Sequence, residues 1–150
     1  MSDVLVTDPA APPPYAVPPA EQADLVVLPL YMEGDRAIYA ESAMMIVKRL
    51  RGLGVQAEWS HDAGHRAWYG ERGAGEVVGA FVIGVLSSAG WDAIKLLFGQ
   101  GSGIVRLKLF SRTDPGGTDE RWIDLEGDSK AVSEILDRLN PWKQHSKDDP

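Results

Sequence analysis

Residues 75–98 read GEVVGAFVIGVLSSAGWDAIKLLF and form the longest apolar stretch of the chain. Fifteen consecutive residues, from Val77 to Trp91, carry no charge and are rich in Gly, Ala, Ser and Val. Large apolar side chains continue beyond Trp91 at helical spacing. The pattern predicts a single glycine-rich helix over residues 75–98.

One face of that predicted helix begins with small residues and ends with charged ones. Its members recur at intervals of four, four, four and three: Ala80, Gly84, Ser88, Asp92 and Lys95. Small side chains let a second backbone approach closely, so this face is a candidate interface. Three interpretations stay open: a helix buried in a soluble domain, a helix that self-associates or docks a partner, and a membrane span.

The membrane interpretation is weakened by length. A span needs about 20 predominantly apolar residues. The uncharged run stops at Asp92 and would give only about 22 Å of helix, against a hydrocarbon core of about 30 Å.

The amino terminus is acidic and its apolar piece, residues 4–6, is far shorter than a signal-peptide core. We therefore expect a cytoplasmic protein.

The 150-residue chain divides unevenly by composition. Six of its ten prolines lie in the first 23 residues, where they disfavour helix and sheet. We predict a disordered proline-rich arm over 1–23, a single domain over 24–140 and a flexible polar tail over 141–150. The absence of cysteine excludes disulfides and Cys-type zinc sites. The formal net charge of -7 argues against a nucleic-acid partner.

The first third of the domain predicts a βαβ unit. Residues 25–31 form a continuous apolar run, which is typical of a strand covered on both faces. Gly34 and Asp35 offer a turn and a helix N-cap, and an apolar stripe follows at helical spacing over 36–51. Residues 55–60 form the next strand, and parallel strands need a crossover of this kind.

Beyond the glycine-rich helix, the chain predicts a β-hairpin and a closing helix. Residues 105–109 alternate apolar and charged side chains, and 121–125 return as the hairpin partner. Asp128 or Ser129 caps the last helix. With a short extra strand within 61–72, the predicted order is β-α-β-(β)-α-β-β-α. This order describes an α/β (α+β) domain on a small mixed sheet.

His61, Asp62 and His65 form the sharpest local pattern that could carry chemistry. Two imidazoles four residues apart with an acid between them resemble the helical His-Glu-x-x-His zinc motif. A third ligand is missing nearby, and Gly64 in a turn-like context disfavours the required helix. We interpret the segment as a solvated turn, with a ligand turn at these three residues as the alternative. We expect no metal site, no catalytic residue and no cofactor.

Two further patterns could hold an anion. Residues 73–79 are glycine-rich and precede the predicted helix, where free amides bind phosphate. Their spacing departs from the dinucleotide fingerprint, and Glu76 can satisfy the same amides. Lys48, Arg49 and Arg51 fall in the last turn of the first predicted helix, where cations complement the helix dipole. A patch for an anionic ligand is the alternative for this trio.

Tryptophan is more plentiful than usual, with five residues: Trp59, Trp68, Trp91, Trp122 and Trp142. Packing in the core and at its rim is the first interpretation. If several of them gather on one surface, they mark an interface instead, because Trp is a favoured anchor there.

The order of these segments resembles that of the effector-associated constant components, small accessory proteins of bacterial multicomponent conflict systems. Those proteins look like a βαβ start, a Gly/Ala/Val-rich apolar helix, a β-hairpin and a short closing helix. The matching stretches here are residues 25–31, 75–97 and 105–139. The proline-rich leader and the Trp-rich middle depart from that pattern. The resemblance implies a non-catalytic partner that works beside an enzyme or NTPase, and it carries over no functional residue.

The sequence therefore predicts a non-catalytic interaction or regulatory module that binds a partner protein or a second copy of itself. The proline-rich arm is a further candidate for partner binding, since aromatic grooves bind such segments. One alternative is a small enzyme, or a ligand or metal binder, that uses the turn at residues 61–72. A second alternative is a membrane-attached signalling subunit that uses residues 75–98.

Overall fold

A computed structural model describes residues 4–15, 17, 23–70, 77–113 and 120–142. Its strands, in chain order, are β1 (Leu5–Thr7), β2 (Leu25–Leu28), β3 (Tyr31–Glu33), β4 (Arg36–Ala40), β5 (Ala57–Trp59), β6 (Arg66–Tyr69), β7 (Val77–Val85), β8 (Ile104–Arg112) and β9 (Glu120–Asp128). Its helices are α1 (Ala43–Gly52), α2 (Ser88–Gly99) and α3 (Ser129–Arg138), with a 3₁₀ turn at Ala63–His65.

The strands form a six-stranded and a three-stranded sheet. The larger sheet has the order β1-β9-β8-β7-β2-β5, and the smaller has the order β3-β4-β6. Two pairs of strands in the larger sheet are parallel, and a helix lies between the two strands of each pair along the chain. Helix α1 lies between β2 and β5, and helix α2 lies between β7 and β8. The predicted α+β class, the parallel β2–β5 pair and the antiparallel β8–β9 hairpin are confirmed.

The prediction of one helix over residues 75–98 is wrong. The stretch forms β7 and then α2, so a second parallel crossover replaces the long helix. Its first half is rich in β-branched residues, and an apolar run of this kind suits a strand with neighbours on both sides. Ser87 separates the two elements, because its hydroxyl accepts the Gly90 N–H at 3.0 Å and begins the helix. No helix in the described ranges is long and apolar enough to cross a membrane.

The candidate face built on that helix is corrected with it. Ala80 and Gly84 lie in β7, while Ser88, Asp92 and Lys95 lie in α2, so the five residues share no helix face. Ser88 and Asp92 are exposed, and the Lys95 ammonium pairs with a carboxylate of α3 at 3.0 Å.

The predicted helix over 36–51 is also divided in the structure. Its first five residues form β4, and the helix begins only at Ala43. Four consecutive residues of β4 are buried, which a surface helix does not allow because one of its faces meets solvent. Gly34 and Asp35 turn the β3–β4 hairpin instead of capping a helix, and Gly34 adopts the left-handed φ of 64° that this turn uses.

The prediction that the first 23 residues stand outside the fold is wrong for the part that the structure describes. β1 adds an antiparallel edge strand to β9, and the Ala10 N–H donates to the Trp122 carbonyl at 2.8 Å. Asp8 pairs with Arg121, and the Tyr15 hydroxyl donates to the Pro29 carbonyl. Proline cannot donate to a ladder, but the residues between the prolines can still pair and pack, as Ala10 and Val17 do. Residues 1–3, 16 and 18–22 lie outside the described residues.

The core has two layers, one on each face of the large sheet. The helices cover the face that carries the alternate residues Val105, Leu107 and Leu109 of β8. The other face carries a smaller apolar cluster, which the amino-terminal segment covers with Ala10 and Val17. The remaining members of that cluster are Val26, Leu28, Val82, Phe110 and Trp122, with Leu30 and Leu86 at its margin.

The closing helix begins as the sequence predicts. The Asp128 carboxylate accepts the N–H groups of Lys130 and Ala131, at 3.1 and 3.4 Å, and so caps α3. The predicted flexible tail starts too early, because Trp142 is half-buried and packs against Trp91 with ring centroids 6.1 Å apart. Residues 143–150 lie outside the described residues.

Candidate functional site

The turn that carries both neighbouring histidines joins β5 to β6. Asp62 precedes the 3₁₀ turn, and its carboxylate pairs with Nδ1 of His65 at the surface. The hydrogen bond lowers the pKa of Asp62 and raises the pKa of His65. His61 turns elsewhere: its Nδ1 lies 2.9 Å from the Ser60 hydroxyl, and burial lowers its pKa. The two imidazoles therefore have different partners.

The predicted ligand turn at His61, Asp62 and His65 gains no further ligand from the fold. Across the described residues, no group of three or more His, Cys, Asp or Glu side chains is placed to hold a metal ion. The Asp62 carboxylate is hydrogen-bonded to His65. The segment is therefore a surface turn held by its own hydrogen bonds.

Tyr39 of β4 fastens this turn to the core. Its hydroxyl lies 2.8 Å from the Ser60 hydroxyl and accepts the His61 N–H at 3.2 Å. Burial is the main reason that the pKa of Tyr39 is raised. The ring also packs edge-on against Trp59, with centroids 4.9 Å apart. The turn and the neighbouring tryptophan thus share one buried support.

Two tryptophans meet at the surface beside this support. The Trp59 and Trp68 rings are 5.5 Å apart at an interplanar angle of 81°, an edge-to-face pair. Trp68 is 41% exposed. The Arg66 guanidinium lies over Trp59, 4.9 Å from the ring centroid, within the range of a cation–π contact.

These rings form one wall of a surface groove with a volume of about 590 Å³, which we call the basic–aromatic groove. Its lining side chains come from α1, β5, the turn and β6: Met44, Val47, Lys48, Arg51, Trp59, Ala63, Arg66 and Trp68. Three of these described residues are cations and none is acidic. The groove is therefore locally positive on a chain whose formal net charge is -7.

The opposite wall is one stripe of α1. Met44, Lys48 and Arg51 recur at intervals of four and three, which places them on the same helix face. Val47 is buried beneath them, whereas Met44 is 51% exposed. Arg51 is held in place, because its Nε donates to the Ala57 carbonyl at 3.0 Å. Its guanidinium also lies 3.6 Å from the exposed Glu58 carboxylate.

The predicted cationic trio divides between two sides of α1. Arg49 and Arg51 do lie in the last turn, where they complement the helix dipole. Lys48 and Arg51 also line the basic–aromatic groove, whereas Arg49 lines a different, smaller cavity beside α2. Arg51 thus belongs to both arrangements, whereas Arg49 lies only in the last turn and Lys48 only in the groove.

The sequence interpretation missed Met44 and Arg66 as parts of this site. Met44 stands one residue into α1, where the predicted helix showed no boundary. Arg66 reaches the groove only because β6 pairs with β4, a contact between residues about 29 positions apart, with Ala37 opposite Arg66. The concentration of Trp59 and Trp68 near the histidine turn was the available signal.

A second cavity, of about 400 Å³, lies on the face of the large sheet away from the helices. Ala80 lines it and Gly84 does not; the Phe110 ring packs directly against Gly84. Its charged walls are already paired across strands: Arg106 with Glu126 at 2.6 Å and Lys108 with Asp124 at 3.2 Å. Of the predicted phosphate loop, residues 73–76 lie outside the described residues and Gly79 belongs to β7.

No family model matches the chain, and no curated protein or solved structure matches it. The arrangement of the basic–aromatic groove itself indicates what it can bind. The half-exposed indole rings supply apolar contact area, and the cations beside them, of which only Arg51 has an ion-pair partner among the described residues, favour an anionic partner.

Proposed function

We propose that the protein is a non-catalytic interaction module that binds an acidic segment of a partner protein in the basic–aromatic groove. The observation that supports this proposal is the meeting of the exposed Trp68, the half-buried Trp59 and three cations in one groove of an otherwise acidic protein. Net negative charge repels acidic segments elsewhere on the surface, so the groove is where such a segment meets attraction.

The cations differ in what they contribute. Arg66 is laid over Trp59, so its guanidinium is already oriented and loses little rotamer freedom when it binds a carboxylate. Arg51 is partly satisfied by Ala57 and Glu58. Lys48 is exposed, with no ion pair among the described residues, and supplies a mobile charge at the rim. Rim charges of this kind act mainly on the rate of association.

The apolar wall supplies the affinity. Trp and Met are enriched in interfaces, and Trp is among the residues that most often dominate their binding energy. Trp68 of β6 and Met44 of α1 both line the groove and are both exposed, so they offer apolar surface to a partner side chain. The partner segment therefore combines acidic residues with an aromatic or large aliphatic anchor.

The titratable groups near the groove support a binding role over a catalytic one. Asp62 and His65 hold each other at the surface, and Tyr39, Ser60 and His61 hydrogen-bond among themselves. Each group serves to fix the turn. The resemblance to effector-associated constant components adds that the partner belongs to a bacterial multicomponent defence or signalling system.

The test is selection from a displayed library of random twelve-residue peptides on the immobilised full chain. We expect the enriched peptides to share acidic residues and one aromatic or large aliphatic residue. Their binding should fall at least tenfold in the Lys48→Glu variant, because the charge reversal opposes the peptide carboxylates.

The matched control is Arg49→Glu, which makes the same charge change on the neighbouring residue of α1, outside the groove. We expect this variant to keep nearly all of the binding, apart from a small loss through the overall charge. Enrichment of peptides without acidic residues, equal losses in both variants, or no enrichment at all would each overturn the proposal.

A further inference from the structure

We infer that the partner segment binds as an additional β-strand along the free edge of β6, an inference that rests on the proposed function. The small sheet has the order β3-β4-β6, so within the described residues β6 has a neighbour on one side only. Strand addition to such an edge uses main-chain hydrogen bonds for affinity and alternate side chains for specificity.

The backbone of β6 leaves specific groups unpaired at this edge. The Glu41 N–H donates to the Tyr69 carbonyl at 3.0 Å, so Tyr69 directs its polar groups toward β4. Successive residues of a strand direct these groups to opposite sides, and Trp68 therefore directs its N–H and C=O away from β4. The carbonyl of Arg66 points the same way. The Arg66 N–H donates to the Ala63 carbonyl within the 3₁₀ turn.

The side chains beside this edge are those of the groove. Arg66 and Trp68 line the groove. Successive side chains of a strand point to opposite faces, so Ala67 and Tyr69 lie on the other face of the small sheet. A strand paired with β6 would place every second side chain on the same face of the small sheet as Arg66 and Trp68. Residues directly opposite each other on neighbouring strands have Cβ atoms about 4.5–5.5 Å apart.

This register specifies the chemistry of the segment. The segment residue beside Arg66 is acidic. The residue beside Trp68 is apolar and lies two positions away along the segment, on the same face. The intervening side chain faces away and is free to vary. The inferred recognition pattern is thus an acidic residue and an apolar residue separated by one position.

Natural proteins protect exposed edge strands, commonly with lysine, proline, a bulge or very short length. β6 is short, at four residues, but contains neither lysine nor proline. Its one charge, Arg66, lies over the Trp59 ring. Its exposed side chains are instead Trp68 and Tyr69, which suit an edge that receives a partner.

The test uses the most strongly enriched library peptide, resynthesised with a single N-methyl group at each position in turn. N-methylation removes one backbone donor and leaves the side chain unchanged. If the peptide adds a strand to β6, we expect at least tenfold weaker binding at the two positions, two residues apart, whose N–H groups donate to the Arg66 and Trp68 carbonyls, and losses below about threefold at the position between them. Binding is measured by calorimetry or fluorescence anisotropy on the full chain.

Two variants separate this inference from the proposed function. Trp68→Ala removes the groove-facing ring, and Tyr69→Ala removes a similarly exposed ring from the opposite face of β6. Loss of binding in Trp68→Ala alone, together with an N-methyl scan without alternation, overturns strand addition and leaves the proposed function standing. Equal binding by wild type, Trp68→Ala and Tyr69→Ala overturns both.

Discussion

Two tryptophan pairs occupy opposite situations in this molecule. Trp91 of α2 is 1% exposed and packs against Trp142, and its indole N–H donates to the Leu136 carbonyl at 2.8 Å. Trp59 and Trp68 also contact each other, but in the open groove beside Arg66. In the first pair, the indole N–H of Trp91 is hydrogen-bonded inside the fold. The second keeps ring surface available, which is what distinguishes a binding wall from a core contact.

The largest expected effect comes from truncating the closed pair. Trp91→Ala should lower the free energy of unfolding by about 3–5 kcal/mol, because it leaves a cavity and an unpaired buried carbonyl. Trp68→Ala should lower it by about half as much, since 41% of that residue is in solvent already. Urea unfolding followed by circular dichroism measures both. Similar losses in the two variants would abolish the distinction between the pairs.

An intermediate effect is expected where the groove meets the core. Tyr39→Phe keeps the buried ring against Trp59 but removes the hydroxyl that bonds Ser60 and the His61 N–H. We expect a loss of about 1–2 kcal/mol in the free energy of unfolding, the scale of a partly buried hydrogen bond. Faster amide exchange at His61 should accompany it. Unchanged exchange there would show that another contact fixes the turn.

The smallest expected effect comes from the ion pair between Asp62 and His65 in the turn between β5 and β6. The folded pKa of Asp62 is lowered, so its contribution is present above the ordinary carboxyl pKa and is lost as the pH falls through the folded value. The folded pKa of His65 is raised, so its contribution is present below the ordinary imidazole pKa and is lost as the pH rises through the folded value. The pair is complete between about pH 4 and pH 6.5.

Proton NMR titration of the histidine rings measures this pair directly. We expect His65 to titrate above the usual imidazole range and His61 below it, because burial disfavours the charged form of His61. Asp62→Asn should bring the His65 pKa down while leaving overall stability nearly unchanged, since the pair is exposed. A His65 pKa that does not move in Asp62→Asn would contradict the assigned cause.

The parts of the fold that follow from local signals were predictable. The alternation of residues 105–109 and the capping carboxylate of Asp128 each act within a few residues, and both elements occur as expected. Residues 77–85 were not predictable from pattern alone, because an apolar run suits a buried helix as well as a buried strand. The choice is made by β2 and β8, which pair with this segment from distant parts of the chain.

The same division holds for the candidate site. The sequence indicated the turn at His61 and the cations Lys48 and Arg51, since each belongs to a recognisable local pattern. Their position in one groove with Trp68 depends on the pairing of β6 with β4 across about 29 residues. Spacing along the chain contains no signal for such a pairing. Only the rule that clustered tryptophans mark an interface pointed toward it.

Gly84 constrains how the sequence of this domain can change over evolutionary time. Phe110 of β8 and Val26 of β2 are its register partners, and the Phe110 ring occupies the volume that a side chain at position 84 would need. An alanine at position 84 therefore requires a smaller or differently turned residue at position 110 and also a shift of Val26, whose Cγ1 would lie 2.8 Å from the new Cβ. Relatives of this chain should change the two positions together, and a glycine facing an aromatic residue on the adjacent strand is a feature by which they can be recognised.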